Sequence, residues 1–135
     1  VNKPTKVFIF DIGGVLDIGG ERPSDSKILK GGVLPTRHIF SELRKRGYWV
    51  GLASGIHHWR SLYLANRHNI QIDIVLDKGE ILNIRNSIDA YYGKGAEFYY
   101  IGHDETDPMY AKCGRMNYLH KDDFWYKFRT GILFE

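Results

Sequence analysis

The sequence predicts an α/β fold, a single doubly wound parallel sheet flanked by helices, on three observations. Short apolar runs recur along the chain, segments with helical spacing separate them, and three runs lead straight into polar or glycine-rich turns. Strands alternating with helices imply right-handed crossovers and a parallel sheet covered on both faces. In such a sheet the ligand crevice opens beyond the carboxyl ends of the strands.

The elements follow in order. Residues 7–10 are β-branched and aromatic, a buried-strand pattern, and stop at Asp11-Ile12-Gly13-Gly14. The connection from Asp17 to Leu34 is rich in Gly, Ser, Asp and Lys and is expected as a flexible loop or small hairpin rather than a second domain. Pro35, at a favourable first-turn position, opens a helix in which Ile39, Phe40 and Leu43 share a face before Gly47 ends it. Residues 49–53 form the second run and end at Ser54-Gly55. The next helix, between Ile56 and about Asn69, carries Trp59, Leu62 and Tyr63 as its apolar stripe. Residues 72–76 are a partly alternating third strand. Ile81, Ile84, Ile88 and Tyr91 then recur three or four apart in a helix closed by Gly93. The fourth strand, residues 98–101, runs into Gly102-His103-Asp104-Glu105-Thr106-Asp107. A weaker fifth run covers residues 115–119, and a last helix runs from Asp122 to about Arg129.

Composition narrows the function classes. A chain of 135 residues with 43% hydrophobic and 26% charged residues suits one domain, 1–135, around one core. No apolar run approaches the roughly 20 residues that span a bilayer, and the run ending at Asp11 is too short for a secretory signal. Cys113 is the single cysteine, which excludes an intrachain disulfide or thiolate cage. A soluble cytoplasmic protein without membrane partners is expected. The net charge of +3 is too small to diagnose nucleic-acid binding, yet it suits a phosphorylated substrate.

Four places carry candidate chemistry. Asp11 sits at a strand end with glycines behind it, where a phosphate can be held on backbone N–H groups and a carboxylate can act as nucleophile. Ser54 and Gly55 stand at a helix start, where the hydroxyl caps the helix or binds an anion. Lys78 follows the third strand, placed to neutralise a phosphate or the Asp11 carboxylate, or else as solvated surface. Asp104, Glu105 and Asp107 gather carboxylates that suit a hard cation such as Mg²⁺, or form a solvated turn. His57 and His58, which open the helix after Ser54, read as solvated helix-start residues.

Taken together these segments resemble the four motifs of the haloacid dehalogenase (HAD) superfamily over roughly residues 6–120. Phe8-Ile9-Phe10-Asp11-Ile12-Gly13-Gly14-Val15-Leu16 is similar to the first motif, with its nucleophilic Asp. Leu52-Ala53-Ser54-Gly55 is similar to the phosphoryl-binding second. Lys78, 24 residues before Gly102, matches the third-motif lysine, and residues 100–107 resemble the acidic metal-binding fourth. The resemblance implies an HAD-like, Rossmann-type fold and a Mg²⁺-dependent phosphatase that acts through an aspartyl-phosphate. Asp11 would be the nucleophile, Gly14, Ser54, Gly55 and Lys78 would bind substrate, and Asp11, the Gly13 carbonyl and Asp104 or Asp107 would hold the metal.

Two departures stand out. Gly13 occupies the position of the second Asp that many HAD phosphatases use as general acid and base, a group worth about 10²–10⁴-fold. His103 stands where an acid usually follows the glycine, so that either Asp104 takes the metal role or Asp107 does while His103 replaces the first acid. An imidazole also makes His103 the candidate substitute acid/base. The segment between the first two motifs is too short for a sizeable cap, which favours an accessible phosphoester: a small molecule, a nucleic-acid end or a phosphoprotein. The rival reading is a catalytically weak or inactive HAD-like binding or regulatory module. A receiver domain is disfavoured because the apparent nucleophile follows the first strand. Dehalogenase chemistry is disfavoured because it needs no acidic metal turn.

Overall fold

The computed structural model describes residues 3–19, 33–55 and 58–135. Its centre is a five-stranded, all-parallel sheet in the order β3-β2-β1-β4-β5. The strands are β1 (Lys6–Asp11), β2 (Trp49–Ser54), β3 (Ile74–Asp77), β4 (Glu97–Gly102) and β5 (Asn117–His120). The helices are α1 (Thr36–Lys45), α2 (His58–Arg67), α3 (Ile81–Tyr92), α4 (Asp107–Cys113) and α5 (Lys121–Thr130). The expected doubly wound parallel sheet is therefore present, with β1 at its middle.

Alternation along β1 explains why both faces are covered. Successive side chains of a strand point to opposite faces. Phe8 and Phe10 enter a core with Ile39, Phe40 and Leu43 of α1, Leu64 of α2 and Phe124 and Phe128 of α5. Val7 and Ile9 enter the opposite core with Ile81 and Ile88 of α3 and Ala111 of α4. All four β1 residues are fully buried, so this strand reads as a continuous apolar run.

Several boundaries differ from the sequence reading. Helix α1 starts at Thr36, with Pro35 as its flanking residue, and the Thr36 N–H donates to Asp17 Oδ1 at 3.1 Å. The fifth strand starts at Asn117 because Arg115 takes a left-handed φ of 55°, which ends any extended run there. Helix α4 lay inside what reads as turn and loop, since its seven residues are too short for a periodic signal. The stripe on α2 faces the wrong way: Ser61, Leu64 and Ala65 are buried, while Trp59, Leu62 and Tyr63 are exposed.

The expected loop or hairpin after Asp17 lies mostly outside the described residues. Its ends are held together, with Asp17 N–H donating to the Leu34 carbonyl at 3.1 Å and Leu34 N–H to the Val15 carbonyl at 2.7 Å. Ile56 and His57 also lie outside the described residues. No helix among the described residues is long and apolar enough to cross a membrane.

Candidate functional site

The strand register brings the candidate residues to one edge. Asp11 pairs with Ala53 at the carboxyl end of β1, so Ser54 follows one step beyond on β2. Ser54 pairs with Asp77, which puts Lys78 just past the end of β3. On the other side Phe10 pairs with Ile101, and Gly102 begins the acidic turn. Asp11, Gly13, Ser54, Gly55, Lys78 and Asp104 line one crevice of about 410 Å³, together with Ile12, Gly19, Arg60 and Leu64. Sequence reasoning missed Arg60; its only signal is a basic residue in the first turn of the helix that follows Ser54.

Asp11 is buried at the floor of this crevice. Its Oδ1 accepts from the Ile12 N–H at 3.0 Å. Its Oδ2 lies 3.7 Å from Lys78 Nζ and 3.9 Å from His103 Nδ1, with no hydrogen bond among the described residues. Burial raises the carboxyl to about 6, an effect that the Lys78 charge opposes and the Asp107 charge reinforces. Oδ2 is thus a desolvated, under-satisfied oxygen aimed between the Lys78 ammonium and the His103 ring.

Asp107 is the opposite case. It is fully buried, and Oδ1 accepts from Lys78 Nζ at 3.0 Å. Oδ2 accepts from the His103 and Asp104 N–H groups at 2.9 and 3.0 Å. Burial alone would raise this acid, but the Lys78 hydrogen bond and the two N–H donors outweigh it and hold it below the ordinary carboxylate range. Gly102 makes the seat: a Cβ there would occupy the space of the Asp107 carboxylate. Burial likewise pushes the Lys78 ammonium down, while the Asp107 hydrogen bond and the Asp11 charge more than restore it.

His103 links the two turns. Its Nε2 is 3.2 Å from Asp104 Oδ1, and its Nδ1 is buried without a hydrogen-bond partner among the described residues. The ring lies against Gly14, which has a φ of +75° and leaves no room for a Cβ beside the imidazole. A glycine is required there on both counts. Tyr100, on β4, places a buried hydroxyl without a hydrogen-bond partner among the described residues. Its ionisation is pushed well up, first by burial and then by the charges of Asp11 and Asp107.

The donor set fits a hard divalent cation. Asp11, His103, Asp104 and Asp107 each offer a ligand atom within 4.8 Å of the others. Three of the four are carboxylates, the oxygen chemistry Mg²⁺ takes, and the imidazole is the poorer ligand. Of the two candidate metal acids in the turn, Asp104 is the more available, with 57% of its side chain exposed, whereas both Asp107 oxygens are engaged.

Other features of the surface have structural accounts. His58, Asp77 and Glu80 also cluster, but Asp77 and Glu80 form a reciprocal capping box at the start of the 3-10 turn Lys78–Glu80, with His58 hydrogen-bonded to Glu80. A larger cavity, about 570 Å³, lies along α1 away from the crevice. Its Arg37 donates to the His68 carbonyl and its Arg44 to Gln71 and Asp73, so these cations tie α1 to the chain before β3.

No family model and no curated protein matches the sequence. Solved structures do resemble the fold. A chain of the Pnkp1/Rnl/Hen1 RNA repair complex superposes with a TM-score of 0.52 at 18% identity, over 87% of this chain and 42% of that one. A chain in another structure of the Pnkp1/Rnl/Hen1 complex gives a TM-score of 0.54 at 17% identity, over 89% and 47%. This chain therefore spans less than half the length of the chains it matches. At such identity the likeness speaks for the fold alone.

Proposed function

We propose that this chain is a Mg²⁺-dependent phosphohydrolase of HAD type that works through an aspartyl-phosphate on Asp11. The observation that carries the reading is Asp11 Oδ2: a buried carboxylate oxygen without a hydrogen bond among the described residues, 3.7 Å from a lysine, at the carboxyl edge of the central strand. Asp11 Oδ2 attacks phosphorus, and the bond from phosphorus to the leaving oxygen breaks. Water then attacks phosphorus, which releases phosphate and restores the carboxylate.

The surrounding groups divide the remaining work. Lys78 and Ser54 hold phosphoryl oxygens, while the backbone of Gly14 and Gly55 allows the phosphate to come close. Asp107 acts through Lys78, which it fixes at 3.0 Å. Asp11, the Gly13 carbonyl and Asp104 would hold Mg²⁺, which when bound supplies neutralisation of the charge on the phosphoryl oxygens. With glycine at 13, the His103 imidazole, 3.9 Å from Asp11 Oδ2, is the group that would give a proton to the leaving oxygen and take one from water.

The substrate is an accessible phosphoester. The segment between the first two motifs, too short for a sizeable cap, supports that reading. The RNA repair setting of the structurally similar chains makes a nucleic-acid end a natural member of that class.

Release of phosphate from an aryl phosphate, with Mg²⁺ and after its removal by chelation, tests the reading. Turnover that requires Mg²⁺ is expected. Absence of turnover across several phosphoesters would favour the second reading, a binding or regulatory module, which the missing acids at Gly13 and His103 support.

A further inference from the structure

Helix α2 presents its aromatic side chains to solvent. Its buried face is Ser61, Leu64 and Ala65, so Trp59 and Tyr63 do not serve the core. Trp59 is 64% exposed and Tyr63 39%, values that leave most of the indole uncovered. Residues four apart lie one above the other on a helix, so Trp59, Tyr63 and Arg67 form a single ridge about 12 Å long.

The ridge adjoins the Asp11 crevice. Arg60, in the first turn of α2, lines that crevice, and its guanidinium carbon lies 5.4 Å from the Tyr63 ring centroid. Arg60 thus belongs both to the crevice lining and to the aromatic face. Helix α2 contains Arg60 and Arg67 and no acidic residue. Flat exposed rings interleaved with guanidinium groups suit a strand whose bases stack and whose phosphates are anionic. A folded protein partner would need about 800 Å² of complementary surface on its side, far more than one short ridge offers.

We propose that the exposed face of α2 is a stacking platform for a single-stranded nucleic-acid end. Trp59 and Tyr63 take the terminal bases, Arg60 takes a backbone phosphate, and the terminal phosphate enters the Asp11 crevice. The last clause rests on the phosphohydrolase reading above; the platform itself does not. Every base has a π-face, so the platform is tolerant of sequence.

Short single-stranded DNA and RNA oligonucleotides with a 5′- or a 3′-phosphate test this, beside acetyl phosphate and a phosphoserine peptide. Two readouts are needed: fluorescence anisotropy of labelled strands, and phosphate release. Strand binding is expected in the unmutated protein, weakened roughly ten- to hundredfold in the Trp59→Ala, Tyr63→Ala double variant. Its kcat/KM on strands should fall by a similar factor, while acetyl phosphate turnover stays put, because neither ring lines the crevice. The DNA, RNA, 5′ and 3′ arms identify which end is used. Trp59-dependent strand binding without any phosphate release would uphold the platform and overturn the phosphohydrolase reading. Acetyl phosphate turnover without strand binding would overturn the platform alone. Turnover of the phosphopeptide that depends on Trp59, with strands ignored, would also overturn it.

Discussion

Two turns at the same sheet edge treat a buried carboxylate in opposite ways. After β4, the turn from Gly102 to Asp107 surrounds its acid with a lysine and two N–H donors, and Asp107 stays ionised below the ordinary range. After β1, the turn from Asp11 to Gly14 gives its acid one N–H, leaves Oδ2 unbonded among the described residues and lets burial raise the group to about 6. Both acids share Lys78, at 3.0 Å from Asp107 and 3.7 Å from Asp11. A fully bonded acid braces the site, and an under-bonded one beside it keeps a lone pair for chemistry.

The largest expected effect comes from adding an acid to the sparse turn. Gly13 lies outside the positive-φ set, and a Cβ on it meets nothing within 4 Å, so a side chain fits without strain. Gly13→Asp should raise phosphoester turnover by as much as about 10²–10⁴-fold, measured as kcat with Mg²⁺ present. An unchanged kcat would mean that proton transfer is already fully supplied, with His103 the first group to probe.

Next comes the bonded turn. Asp107→Ala leaves the Lys78 ammonium without its closest partner and two backbone N–H groups without an acceptor. Urea unfolding should show a loss of about 3–5 kcal/mol. A loss below about 1 kcal/mol would remove Asp107 from its bracing role.

Asp11→Asn should move stability the other way. Asp11 titrates at about 6 in the folded chain against an ordinary 3.8, so folding takes up a proton between those values. This contribution to stability is complete below pH 4 and is lost as pH rises through about 6. Without metal at pH 7, the uncharged Asn should therefore stabilise the fold by on the order of 2–3 kcal/mol, with the gain shrinking toward nothing below pH 4. An Asn variant less stable than the parent at pH 7 would contradict the assignment of Asp11 as the strained acid.

The smallest effect concerns the joint between the turns. Gly14→Ala forces a β-carbon into a left-handed residue and into the His103 ring. A loss of roughly 1–2 kcal/mol in thermal or urea unfolding is expected. A neutral result would show that the imidazole moves aside at no cost.

Much of this was legible in the sequence, and the exceptions have physical reasons. The apolar runs before Asp11, Ser54 and Gly102 announced β1, β2 and β4, because fully buried parallel strands need uninterrupted hydrophobic residues. The meeting of Asp11, Ser54, Lys78 and Asp104 in one crevice followed from strand ends that share an edge. The separate fates of Asp104 and Asp107 were not legible: three residues apart in one acidic stretch, they differ in which N–H groups and which lysine they meet. Helix α4 escaped notice because its seven residues hold too little periodicity. The apolar stripe of α2 points to solvent rather than to the sheet. Spacing groups Trp59, Leu62 and Tyr63 near one another, but Leu64, Ala65 and the small Ser61 fit closer to the sheet.

On the proposed mechanism Asp11 becomes covalently phosphorylated during turnover. Acid-quenching the protein during turnover of an aryl phosphate with Mg²⁺, then reducing with borohydride, converts an acyl phosphate to an alcohol that mass spectrometry locates. Reduction at position 11 is predicted, absent without substrate and absent in Asp11→Asn, which should release no phosphate. Phosphate release that continues unchanged in Asp11→Asn, with no reduced residue at position 11 in the unmutated chain, would contradict the account.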